Sequence, residues 1–142
     1  MQPTPVHHRL PRAGIDPIDT ADKAFTTIVM AIQRPLRPET VVAYLDHERR
    51  GIAFVIVSET TSPDSVIDVV ECLCNPNAHD GRVGALLVGS VRPDGDIEHS
   101  DVDRWLEMSN LCEESGIELL EWFVIGRAVS CPRDSLGEPP RF

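Results

Sequence analysis

Lysine is almost absent from this chain. Of 13 basic residues only Lys23 is a lysine, and the formal net charge is −10. The arginines are scattered, and the densest group is the pair Arg49-Arg50. Nucleic-acid binding needs a basic face to neutralise phosphates, so this charge balance argues against such a partner. It favours solubility, or a partner with a basic surface. No apolar run approaches the ~20 residues that span a bilayer. The start, MQPTPVHHRLPR, lacks the apolar core of a secretory signal. These absences make the cytoplasm the expected compartment and leave no membrane role. Cysteine is sparse as well. Cys72, Cys74, Cys112 and Cys131 are expected to be reduced, buried, small apolar residues rather than a disulfide framework.

What remains is enough for one domain. A chain of 142 residues buries most of its unfolded surface without staples. Residues 1–18 are rich in proline and polar groups and are expected to form a disordered or loosely docked tail. Asp19 or Thr20 caps a helix whose apolar stripe is Ala24, Phe25, Ile28, Val29 and Ile32. Pro35 and Pro38 end it. Thr40 to Leu45 and Ile52 to Val57 read as a hairpin, the second strand buried. Ser62-Pro63 is a helix start, with Val66, Val69, Val70, Leu73 and Cys74 facing inward. Val83 to Val88 is a third strand. A helix from Ser100 carries Val102, Trp105, Leu106 and Cys112, and Gly116 stops it. Ile117 to Ile125 is a fourth strand, with Glu118 and Glu121 on its solvated side. Ala128 to Cys131 suits a short edge strand, and residues 132–142 an irregular tail. The order predicts an α/β domain over residues 19–131, a mixed β-sheet flanked by helices.

One stretch carries chemical information. Ser90-Val91-Arg92-Pro93-Asp94-Gly95-Asp96 follows the third strand, and Ser100 and Asp103 follow it. This spacing resembles the His-x-His…Ser-x-x-Asp signature of the JAB/MPN metalloproteases, and Pro93-x-Gly95-Asp96 resembles their bacterial RadC-like branch. Both histidine positions are changed, to Ser90 and Arg92. Glu39 matches the family's catalytic glutamate at the start of its first strand. Gly116-Ile117, Leu119-Leu120 and Ile125-Gly126 also match in order, although Glu121-Trp122 replace an Asp-His pair. The resemblance runs from the first helix to Ser130 and implies a JAB/MPN, cytidine-deaminase-like architecture.

In an active member the two histidines and the aspartate bind zinc, the glutamate takes a proton from the metal-bound water, and the serine stabilises the oxyanion. Zinc is held by thiolate, imidazole or carboxylate, and a guanidinium stays cationic. Glu39 and Ser100 are therefore vestigial catalytic positions, and Ser90, Arg92 and Asp103 vestigial metal positions, with no cofactor expected. Arg92 is expected to fill the metal hole and pair with Asp103 or Glu39. Plainer readings stand beside these. Ser100-x-x-Asp103 resembles a capping box, and Pro93-Asp94-Gly95-Asp96 is a good turn sequence. The resemblance implies an inactive protein-interaction or scaffold module with a protein partner, or a homodimer. A second reading has Arg92 and the turn at Asp94, Gly95 and Asp96 grip an anion. A third keeps a zinc-dependent peptidase or isopeptidase with altered ligands, drawn from Asp103, His99, Cys72 and Cys74. Cys72-Leu-Cys74 with His79 is a partial metal pattern with no evident fourth ligand.

Overall fold

The computed structural model describes residues 10–75 and 81–142. Helix α1, Ala21–Met30, starts where Thr20 Oγ1 accepts the Lys23 N–H at 3.2 Å, and it buries Ala24 and Ile28. Strands β1, Glu39–Asp46, and β2, Gly51–Ser58, pair antiparallel. The Asp46 carboxylate closes their turn by accepting the N–H groups of Glu48 and Arg50 at 2.8 and 2.9 Å. Helix α2, Ser65–Cys74, leads to β3, Val83–Val91, which lies antiparallel to β1 on its other side. Helix α3, Asp101–Glu114, is the crossover to β4, Glu118–Ile125, parallel to β3. Parallel neighbours require such a crossover. Gly116, at φ 73°, ends α3 in the left-handed conformation that glycine tolerates. Strand β5, Val129–Ser130, and the short helix α4, Pro132–Ser135, complete the chain. Among the described residues no helix is long and apolar enough to cross a membrane.

The result is a five-stranded mixed sheet of order β2-β1-β3-β4-β5, flanked by helices. Alternation along the strands splits the core in two. On one face Ala24 and Ile28 of α1 cover Val41, Ala43, Leu87 and Phe123. On the other, Val70 of α2 and Trp105 and Met108 of α3 cover Val42, Leu86, Val88 and Trp122. Both tryptophans are fully buried.

Several expectations need correction. Strand β2 is not buried. It is the edge of the sheet, and Ile52, Phe54 and Ile56 are exposed. A short apolar run looks the same at an edge as at a centre, and only the pairing of β1 with β3 decides it. Ser62-Pro63 does not open α2. Ser62 accepts the Ser65 N–H in a preceding turn, and α2 begins at Ser65 after Asp64. Residues 10–18 follow the loosely docked alternative, mostly exposed with a few anchoring contacts. Ile18 is buried, Pro17 bridges to Arg50, and the Gly14 N–H reaches the Gly51 carbonyl at 3.0 Å. The remainder of the expected tail, residues 1–9, lies outside the described residues.

The C-terminal segment is also placed. Arg141 stacks on Trp105 at 4.5 Å and donates to the Leu119 carbonyl at 2.8 Å. Glu118 is solvated and bridges to Arg49, but Glu121 is buried. Its carboxylate accepts from Arg133 Nε at 2.9 Å. A register shift between Leu86 and Leu87 lets β4 carry an extra residue before Glu121, which breaks simple alternation. Cys72 is exposed, not buried. Cys74 and Cys112 are buried with their sulfurs 3.4 Å apart, joining α2 to α3.

Candidate functional site

Strand β3 ends by delivering Ser90 and Arg92 to a cleft. The cleft has a volume of about 280 Å³ and lies between the start of β1, the segment after β2, and the turn after β3. Its wall carries hydroxyls from Thr40, Thr60, Thr61, Ser62 and Ser90, with Glu39 and Arg92 beside them. Thr40 donates to Thr60 Oγ1 at 2.9 Å. Across the sheet Thr40 pairs with Ser90, so both turn to the face covered by α2 and α3.

Ser90 is buried, and its Oγ accepts the Trp122 Nε1–H at 2.9 Å. Arg92 lies beside the same indole, with its guanidinium carbon 5.8 Å from the ring centre. Its two terminal nitrogens donate to the two carboxylate oxygens of Asp101 at 2.7 and 2.8 Å. One of them also donates to the Asp96 carbonyl at 3.1 Å. Such a two-pronged pair is the strong geometry for arginine and carboxylate.

Asp101 is the centre of the arrangement. It opens α3, is 0% exposed, and also accepts from Arg104 at 2.8 Å and from the Glu98 N–H at 2.6 Å. Burial alone would raise its pKa. The bonds from Arg92, the Glu98 amide and Arg104, with the attraction of the Arg92 charge, outweigh burial and hold the carboxyl below its usual range. Arg104 extends the network to Asp64, just before α2, at 2.8 Å and to Glu98 at 3.1 Å. Burial works against its charge, but these three carboxylates raise its pKa. One cation thus ties α3 to the start of α2, and the other ties α3 to the end of β3.

The sequence-predicted residues are only partly brought together. Arg92 does pair with a carboxylate, but the partner is neither Asp103 nor Glu39. Asp103 is exposed on the first turn of α3. Helical spacing sets it about 200° around the axis from Asp101, so the two cannot face β3 together. Glu39 is buried at the start of β1, where it pairs with Val91 on the α1 side of the sheet. Its carboxylate accepts the Gln33 N–H at 3.1 Å, in the segment after α1. Ser100 is exposed and makes no side-chain cap bond, so no capping box forms.

Asp94 and Asp96 are exposed on a turn closed by the Gly95 N–H to the Arg92 carbonyl at 3.0 Å. That turn presses on Gly126, where an added Cβ would sit 1.9 Å from the Gly95 carbonyl oxygen. The terminal nitrogens of Arg92 are directed at Asp101 and at the Asp96 carbonyl, and Arg92, Asp94 and Gly95 line the same cleft. His99 and Cys72 are exposed, whereas Cys74 faces Cys112 in the core. Among the described residues no group of three or more His, Cys, Asp or Glu is placed to hold a metal ion. His79 lies outside the described residues.

Asp101 and Arg104 went unread in the sequence. Their signal was present, since Asp101 stands nine residues after Arg92 and Arg104 three after Asp101, at helical spacing. No family model matches the chain, and no curated protein matches it.

Proposed function

We propose that this chain is a catalytically inactive, metal-free domain of JAB/MPN type, from the RadC-like branch, and that it serves as a protein-interaction or scaffold module. The observation that carries the reading is the bidentate Arg92–Asp101 pair at the end of β3. In the active arrangement the corresponding strand end and helix start hold a dication. Here a buried carboxylate and a partly buried cation satisfy each other at the same junction. Ser90, at the other histidine position, is committed to Trp122. A mixed sheet flanked by helices is compatible with the cytidine-deaminase-like architecture that this reading requires. The inward carboxylate is Asp101, two residues before the position that the motif spacing selects. Glu39 lines the same cleft, with its carboxylate accepting the Gln33 N–H.

The test rebuilds the lost site. Ser90→His with Arg92→His leaves Asp101 as the carboxylate that faces position 92, with water as a fourth ligand, the open geometry of catalytic zinc. Calorimetry should show that the double variant binds zinc, and that adding Asp101→Ala removes the binding. Far-UV circular dichroism of each variant checks the fold. A folded double variant with no gain of zinc affinity means that the positions do not converge as a JAB/MPN site. Tightly bound zinc in the unaltered protein would overturn the metal-free reading.

A further inference from the structure

Strand β2 is an edge of the sheet, unpaired beyond its Gly51 end among the described residues, with Leu10, Pro11 and Ala13 beside Ile52 and Phe54. Its sequence, Gly51–Ser58, contains no charge and no proline, the usual devices that keep edge strands apart. Ile52, Phe54 and Ile56 are 37%, 46% and 44% exposed and lie at alternate positions, so they form one row. That row lies on the α1 side, because Ile56 pairs with Val41 and Phe54 with Ala43. Helix α1 stops short of covering it, and Met30 beside it is 59% exposed.

The backbone of this edge is open in a defined register. The Pro38 carbonyl accepts the Glu59 N–H at 2.9 Å. Alternation then turns the backbone groups of Val57, Val55 and Ala53 inward to β1. Those of Phe54, Ile56 and Ser58 point outward and make no backbone bond among the described residues. At the Gly51 end the edge is taken, since Gly14 bonds to the Gly51 carbonyl.

We propose that a second copy of this chain occupies the β2 edge, in an antiparallel, two-fold pairing centred on Val55. This names the partner for the interaction role above, and it rests on that reading. Three features select a second copy. First, a two-fold axis normal to the sheet keeps each face on its own side. The apolar row then meets itself, with Phe54 of one copy opposite Ile56 of the other. Second, centring on Val55 overlaps residues 52–58 and leaves out Gly51, whose carbonyl is already bonded. Third, β2 begins after Arg49-Arg50 and ends before Glu59, so antiparallel self-pairing sets the basic end of each copy beside the acidic end of the other. A parallel arrangement would set like charges together. The two five-stranded sheets become one continuous sheet.

The test is sedimentation velocity on the full chain from about 1 to about 200 µM, a range suited to a modest interface. The wild type should move from monomer to dimer as concentration rises. Phe54→Lys with Ile56→Lys changes two exposed side chains, so its circular dichroism should match the wild type while dimer formation falls at least tenfold. Amide exchange read by NMR on the unaltered protein gives a second measure. The Phe54 and Ile56 amides should slow with concentration, whereas the Val55 amide, already bonded to β1, should not change. A wild type that stays monomeric throughout overturns the proposal. So does a dimer that persists unchanged in the lysine variant. Either result leaves the zinc test of the inactive-domain reading untouched.

Discussion

Arg92 and Asp101 show how a buried ion pair is kept. Each ion loses water on burial, and their attraction offsets that loss only when the remaining donors and acceptors are satisfied. Here Asp101 accepts from Arg92, Arg104 and the Glu98 amide. Removing one partner of a buried pair costs about 3–5 kcal/mol. Arg104 remains in Arg92→Ala, so the loss should fall near ~3 kcal/mol in urea unfolding, against well under ~1 kcal/mol for an exposed arginine. Asp101→Asn should cost less in that background than in the wild type, because the carboxylate has already lost one of its two cationic partners. The pH dependence has a fixed sign. The folded pKa of Asp101 lies below its unfolded value. Its contribution is therefore present above about pH 4 and is lost as pH falls through the lower, folded pKa. Asp101→Asn should flatten that acid limb. A near-zero effect of Arg92→Ala would place its side chain in solvent.

Elements with local signals were legible, and those held by distant contacts were not. The Thr20 cap, the apolar stripe of α1 and the Gly116 stop are written within a few residues of where they act. The C-terminal segment has no such period, yet it closes the bottom of α3. Arg141 lies over the buried Trp105 ring and donates to Leu119 and Ser109, while Glu138 accepts from the Trp105 indole at 3.4 Å. None of these partners is near in sequence, so only the fold brings them together. Arg141→Ala should lose the cation–π contact and a carbonyl bond, about 1–2 kcal/mol together. It should also shift tryptophan fluorescence to longer wavelength as water reaches Trp105. Unchanged emission and stability would mean that the segment does not cover the ring. The candidate site divides along the same line. The sequence pattern singled out Ser90 and Arg92 at the end of β3, but Asp101 was missed because a motif register pointed to Asp103.

At the scale of the whole molecule, charge is unevenly distributed. The pair Arg133–Glu121 is buried, Arg92–Asp101 is partly buried, and both are locally balanced. The chain nevertheless has 23 acidic residues against 13 basic ones, so the excess of negative charge sits on the surface. Exposed pairs such as Arg12–Asp16 and Lys23–Asp19 contribute little each and weaken further in salt. Self-repulsion of the surplus charge acts against the compact state, and salt screens it with a Debye length of about 10 Å at 0.1 M. The buried pairs are screened far less. Two surface effects then oppose each other, and the excess of acid decides the sign. Raising sodium chloride from about 0.02 to about 0.3 M, which shortens the screening length severalfold, should raise the melting temperature at neutral pH. At a pH near the sequence pI of 4.8 the same salt step should have little effect, because the surplus is largely gone. Calorimetric scans at the two pH values read this directly. A melting temperature that falls with salt at neutral pH would show that the surface pairs, not the net charge, govern the stability of the fold.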